Sequence, residues 1–473
     1  MQWTSDFRHA WRALVRTPAF LLTSVVPLAL AIGAVVGMFN VVYTVLIRPL
    51  PFPDADRLVV VSGTAPGSDL PENFGLGLEF YVHYKERSQL LDAIFLFGAG
   101  TSTLRTDDRV ERIPMAFPTN DIYATLGVRP QEGRLPVAAD GDRVFVISDR
   151  LWTNWFGRDR GVIGKRYFVS GQMREVIGIM SPEFLFPSDD TLLWVAAGEI
   201  RPAEIRPGQL GPPLIARMKP GVTREQLAAE LTRLSKELPA RFGGSPNYAR
   251  FIGQHRSVVE PVLERLVGPT ATTSLWVLLG AVSIALLIAC ANVANLFLVR
   301  AEGRRRELAV RRAIGASRAQ LVRLQMAEAI LVALPAGALA VLLSALTLPV
   351  FLRAAPQGIP RLGGVGLDLP TIVTAFVLVV VAAVACGAVP ALLASSPDLG
   401  RLREGSRGST GRRSLGRHAL VVAQTALALV LLIGSALLIQ SFQRLRNVDP
   451  GYDTADIYTF QFAPEQARLT DGP

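Results

Sequence analysis

Apolar and polar positions are spread very unevenly along the 473 residues. A hydrocarbon core of about 30 Å requires roughly 20 consecutive residues of apolar helix, each rising about 1.5 Å. Five runs meet that length: 19–47, 274–299, 327–351, 371–393 and 419–441. Pro27, Pro335 and Pro390 lie inside them. Such prolines are tolerated in membrane helices because neighbouring groups satisfy the freed carbonyl. The first run is too long for the apolar part of a cleavable leader and is followed by no small-residue cleavage site, so it reads as a retained helix. Residues 1–18 form an amphipathic lead-in to it.

The period changes between the first two runs. In 48–273, Val144–Ile147 reads as a short strand. Residues 166–170 and 173–179 read as a hairpin around a Ser170-Gly171 turn. Residues 214–218 make another strand, closed by a Lys219-Pro220-Gly221 turn. Thr223 then opens a helix as N-cap with Gln226 in the capping-box position, and Leu227, Leu231 and Leu234 share one face. The expected fold class is therefore an integral membrane α-helical protein of about five transmembrane helices, carrying a large α+β domain at 48–273.

Composition agrees with a mixed protein: half of the residues are hydrophobic and the net charge is +10. Where the charge sits matters more than its sum. Arg8, Arg12 and Arg16 precede the first run. The 300–326 connection carries eight arginines from Arg300 to Arg323, and the 394–418 connection carries six from Arg401 to Arg417. The 352–370 loop has only Arg353 and Arg361. Basic short loops stay in the cytoplasm. The N-terminus and both arginine-dense segments are thus expected inside, with 48–273, 352–370 and residues after about 442 outside. The Gly-, Ser- and Arg-rich stretch 405–417 is expected to meet lipid headgroups or a cytoplasmic partner, not nucleic acid. Cys290 and Cys386 lie in apolar runs and read as small buried thiols, so the outer domain must fold without disulfides.

Candidate chemistry is sparse. His9, His83, His255 and His418 are scattered without metal-ligand spacing and are expected to be solvated or headgroup-facing. Ser274, Ser283 and Ser435 have no base within a span and read as packing residues. No charge marks a substrate path through the spans. Gly33 and Gly37 form a small-x-x-x-small face suited to helix packing or to dimerisation. Residues 304–328 contain a helical first half, a Gly315-Ala316-Ser317 break and an amphipathic restart at Ser317. On physical grounds this segment is either a rigid lever joined to a membrane helix or an ordinary basic loop.

The string Glu307-Leu-Ala-Val-Arg-Arg-Ala-Ile-Gly-Ala-Ser317, with Glu328 beyond it, resembles the cytoplasmic coupling segment of FtsX/MacB-like ABC permeases. In 48–273, the runs starting at Asn120, Gly133, Val146, Val162, Val176 and Leu193 are similar, in order, to the MacB-like periplasmic core domain. The helix 420–442 with Asp449-Pro-Gly-Tyr452 is similar to the second-half entry of the duplicated (ADOP-type) branch, and residues 442–473 would begin a second periplasmic domain. Because the chain stops there, it is compatible with part of a longer duplicated protein or with a half-length form.

The resemblance implies a multi-pass permease of the bacterial inner membrane that binds no cofactor itself and depends on ATP through a separate ABC ATPase subunit. No phosphate-binding G-x-x-x-x-G-K-[ST] motif occurs in these residues. It also implies a second permease copy or half, a possible periplasmic adaptor, and efflux or extraction of an unidentified substrate. Glu307, Arg311, Arg312, Gly315, Ala316 and Glu328 become the ATPase-coupling positions. No catalytic or metal residue is expected. A non-transporting sensor or regulator of an extracytoplasmic partner remains the alternative.

Overall fold

The computed structural model describes residues 2–68, 71–197, 200, 205–304, 310, 314, 317–354, 361, 364–366, 368–394 and 411–447. The described residues divide into a helical unit, holding those up to Ile47 and those from Thr270 to Asn447, and a globular unit, Arg48–Pro269.

Six helices belong to the helical unit among the described residues: α1 (Gln2–Val15), α2 (Pro18–Val42), α3 (Pro269–Gly303), α4 (Arg318–Ala354), α5 (Leu369–Ala394) and α6 (Gly411–Arg446). Five are long and apolar enough to cross a membrane, with spans at Pro18–Ile47, Pro269–Gly303, Val322–Val350, Leu369–Gly387 and Val421–Arg444. The helices outrun the expected apolar windows: α3 starts before residue 274, and α4 begins nine residues before 327. Hydropathy marks the stretch that suits hydrocarbon, whereas backbone hydrogen bonding carries a helix on through polar turns. The 300–326 and 394–418 connections are correspondingly shortened by helix at their ends. α2 closes in a π turn at Tyr43–Ile47. Of 442–473, expected to begin a second outer domain, residues 442–446 still belong to α6, and those beyond 447 lie outside the described residues.

Small side chains let these helices approach closely. Ala329, Ala333, Ala336 and Ala340 form a buried stripe on α4, facing Ala29, Ile32 and Val36 of α2 and Ala375, Ala382 and Ala383 of α5. Lipid tails are as apolar as Leu, so association in the membrane relies on such tight contact and not on the hydrophobic effect. Cys290 and Cys386 are buried free thiols, and the Cys386 thiol donates to the Cys290 carbonyl at 3.5 Å.

The globular unit is built on a mixed sheet. Its strands are β1 (Leu58–Thr64), β2 (Leu91–Arg105), β3 (Val110–Pro118), β4 (Pro130–Gly133), β5 (Val144–Ile147), β6 (Arg166–Val169), β7 (Gln172–Met180), β8 (Leu193–Val195), β9 (Leu214–Met218) and β10 (Arg256–Pro261). They run in the order β10-β1-β9-β2-β3-β8-β5-β7-β4, with β6 bridging β2 and β7. The β3–β8 and β5–β7 pairs are parallel and the others antiparallel. β1 opens on the apolar run Leu58–Val61, both faces of which are covered. Val59 and Val61 pack with the helices Leu78–Arg87 and Arg224–Ser235, while Leu58 and Val60 join the core around Phe95, Trp194 and Phe186.

The expected local signals are present. Ser170 and Gly171 both take positive φ (54° and 76°), the geometry a two-residue hairpin with right-handed twist requires. Thr223 Oγ1 accepts from Gln226 N at 3.3 Å while Thr223 N donates to Gln226 Oε1 at 3.0 Å, and Leu227, Leu231 and Leu234 are buried.

The histidine expectation is corrected for two residues. His83 and His255 are 1% and 0% exposed, not solvated. His255 is ringed by Phe74, Phe80 and Phe251, with centroids 5.0–6.1 Å away, and its Nε2 meets Ser257 Oγ at 3.3 Å. Burial, assisted by the nearby Lys236 ammonium, lowers its pKa to about 4. Aromatic residues spaced far apart in the chain assemble this pocket, which is why the isolated histidine signalled nothing.

Candidate functional site

The candidate site lies where α1, α2, α3 and α4 meet at the arginine-dense end of the helical unit. α3 stays helical to Gly303, so Arg300 and Arg304 stand one turn apart near its C-terminus. Glu328 sits within the first three turns of α4 and is 7% exposed. Arg304 Nη1 donates to Glu328 Oε1 at 2.7 Å, and Arg300 Nε lies 3.9 Å from Oε2. Arg300 also donates from Nη2 to the Ala13 carbonyl at 2.9 Å, and its guanidinium lies 4.4 Å from the Phe20 ring centroid. Phe20 in turn meets Phe297 edge-on at 5.2 Å. One carboxylate and two guanidiniums thereby clamp the last turn of α1, the first turn of α2, the end of α3 and the start of α4. The planar guanidinium suits this role because it donates in several directions and stacks on an aromatic face at once.

α4 is nucleated by a capping box. Ser317 Oγ accepts from Gln320 N at 3.3 Å, and Ser317 N donates to Gln320 Oε1 at 2.8 Å. The amphipathic restart expected at Ser317 is therefore a fixed helix start. Leu324 is half-buried and Ala327 buried on its inner face, while Val310 and Ile314 are 57% and 82% exposed. Of the coupling positions, Glu307, Arg311, Arg312, Gly315 and Ala316 lie outside the described residues. Glu328 is described, and its carboxylate is engaged by Arg300 and Arg304.

In the sequence, Arg300 and Arg304 are two of many loop cations. The sequence carries a partial signal: a lone carboxylate in the first turn of an apolar run needs a cation, and the arginines at the end of the preceding run are among the candidates, with Arg318 and Arg323 nearer in sequence. Gly33 and Gly37 face α4 of the same chain. A Cβ on Gly33 would stand 3.1 Å from the Ala340 carbonyl oxygen, and one on Gly37 would stand 3.5 Å from Ser344 Oγ. Further along α2, buried Asn40 donates from Nδ2 to Gly366 O at 2.7 Å, tying α2 to the segment before α5.

In the globular unit, the entry segment is anchored by a buried arginine that sequence reasoning missed. Arg217 of β9 is 6% exposed and donates to the carbonyls of Pro53 at 2.5 Å and Thr125 at 2.6 Å. The chain leaving the first span is thus fastened to a core strand within a few residues of entering the domain.

Comparison with known proteins accords with this organisation. The model of the MacB-like periplasmic core domain matches residues 21–234, and that of the FtsX-like permease C-terminal domain matches residues 279–399. The chain is 30% identical over 288 residues to the macrolide export ATP-binding/permease protein MacB of Bordetella avium (strain 197N), a match covering 58% of this chain. The matched part spans 40% of that relative's length. Solved structures similar to part of the chain include the periplasmic region of MacB from Actinobacillus actinomycetemcomitans, at 12% identity and TM-score 0.33, covering 44% of this chain and 90% of that one. A domain of a putative permease protein from Porphyromonas gingivalis matches at 16% identity and TM-score 0.35, covering 44% and 92%. The extracellular domain of the noncanonic ABC-type transporter YknZ from Gram-positive bacteria matches at 16% and 0.31, covering 42% and 99%. The two family models together cover more than two thirds of the residues, in the order of span, domain and further spans described above. The chain belongs to the FtsX/MacB-like family of ABC transporter permeases.

Proposed function

We propose that this chain is the force-transmitting permease subunit of an ABC system. A separate ATPase pushes on the 304–328 segment, and the motion passes through the spans to the globular domain on the outer face, which moves cargo for efflux or extraction. In this reading the N-terminus and the arginine-dense segments face the cytoplasm, as positive-inside bias requires. Arg311 and Arg312 supply guanidiniums for carboxylates of the ATPase, and Gly315, lacking a Cβ, is the residue type that tolerates a sharp turn.

The observation that carries the proposal is the Arg300–Arg304–Glu328 clamp. A push on a loosely tethered loop would dissipate in the loop. A push on a helix start capped by Ser317 and pinned through Glu328 to α3 and α1 moves several helices together.

The test is charge reversal at Arg311 and Arg312 (Arg311→Glu with Arg312→Glu) in the full chain, followed by co-purification of the cognate ATPase from native membranes. The expected result is loss of the ATPase with membrane insertion unchanged. Equal ATPase recovery with wild type would overturn the docking assignment.

A further inference from the structure

We infer that α1 is a seat for anionic phospholipid, with Arg8, Arg12 and Arg16 holding headgroup phosphates while Trp11 and Val15 enter the apolar edge of the headgroup layer. The inference is independent of force transmission and stands on how α1 is held and what it exposes.

At 100° per residue, Ala10 and Leu14 fall on one side of α1, and both are buried, at 0% and 2% exposed. Leu14 belongs to the same core as Leu28, Phe297 and Ala333. The C-terminal turn is fixed further by Arg300 on the Ala13 carbonyl and by Thr17 Oγ1 on the same oxygen at 3.2 Å. α1 is therefore docked, and its free side has a defined composition. Trp11 and Val15 are each 55% exposed and lie one turn apart. Arg8, Arg12 and Arg16, all exposed, form the adjacent stripe. An apolar edge beside a basic edge suits a helix lying in the plane of a membrane interface: the indole sits at headgroup depth, and the guanidiniums take phosphates in bidentate fashion. The position fits as well, because Pro18 opens the first span two residues beyond Arg16. Charge complementarity selects the occupant: Arg8 and Arg12 one turn apart on α1, with Arg16 just past its end and next to the first span, meet an anionic lipid surface.

The experiment uses the full-length chain in nanodiscs. With phosphatidylglycerol brominated on its acyl chains, tryptophan emission should be quenched in the wild type. Trp11→Phe, which removes one of six tryptophans, should remove a component of that quenching. In detergent, native mass spectrometry should show phosphatidylglycerol retained by the wild type. Retention by the Arg8→Gln, Arg12→Gln, Arg16→Gln variant should fall roughly fivefold per arginine removed, with phosphatidylcholine binding unchanged. Equal phosphatidylglycerol retention by wild type and variant would overturn the inference. So would identical quenching of wild type and Trp11→Phe, a measurement that leaves the arginines in place. If Trp11 proved shielded from lipid bromine and exposed only when the ATPase was removed, the face would belong to a protein partner and the lipid seat would be refuted.

Discussion

Acidification should loosen the globular unit at His255, and the size of the effect follows from its pocket. The imidazole is 0% exposed, packed among three phenylalanine rings, and faces Ser257 Oγ, Ser257 itself meeting Tyr84 OH at 3.0 Å. The neighbouring Lys236 ammonium is held by the carbonyls of Ile252 (2.6 Å), Gly253 (3.0 Å) and His255 (2.8 Å). Burial is the principal cause and Lys236 the second, lowering the pKa from 6.5 to about 4. A base whose folded pKa is depressed takes up its proton more readily when unfolded. Stability is therefore full above about 6.5 and is lost as pH falls from there towards 4. Linkage with these two values gives about 2 kcal/mol lost between pH 7 and pH 5, roughly a twentyfold rise in local opening. Buried Glu79 works in the opposite sense. Burial raises its pKa, so its contribution is present at low pH and is lost as pH rises. Burial also lowers the pKa of His83, in the same sense as His255, so a total slope would mix these groups, and the comparison that isolates His255 is wild type against His255→Gln. Amide hydrogen exchange across 246–261, corrected for the pH dependence of the intrinsic rate, should show the acid-induced opening in wild type and not in the variant. If the two proteins lose protection in parallel from pH 7 to pH 5, the imidazole pocket is not the cause and the reasoning fails.

The membrane unit supports two further predictions. Glu328→Ala leaves Arg300 and Arg304 without their counter-charge, and breaking a buried pair from one side costs about 3 kcal/mol. Thermal unfolding of the detergent-solubilised chain should drop by several degrees, with Glu328→Gln milder because an acceptor remains; an unshifted melt for Glu328→Ala would refute the clamp. Gly33→Leu drives side-chain atoms against the Ala340 backbone and should cost about 1–3 kcal/mol of overpacking. Gly37→Ala, whose Cβ meets only Ser344 Oγ at ordinary contact distance, should be nearly neutral. Equal melting shifts for the two glycine variants would remove the case for close α2–α4 approach at Gly33.

Much of the architecture is local in origin and so is legible in the residues alone. Each span is decided by its own apolar content, because hydrocarbon tolerates only helix with internally satisfied backbone. The Ser170-Gly171 hairpin and the capping boxes at Thr223 and Ser317 are equally local, being set by groups within three residues of one another. The family resemblance was legible for the same reason, since its motifs are contiguous strings. What the amino-acid order left open depends on groups distant in sequence. The partners of Glu328 lie 24 and 28 residues before it, and Ala13, which shares Arg300 with it, lies 287 residues from that arginine. The pocket of His255 draws on Phe74 and Phe80, and Arg217 reaches back to Pro53. A charged or polar side chain reads alike in sequence whether it is solvated or buried. Only the packing around it decides whether water or a specific partner satisfies it, and here that choice turned one loop arginine into a four-helix clamp and one scattered histidine into a core residue.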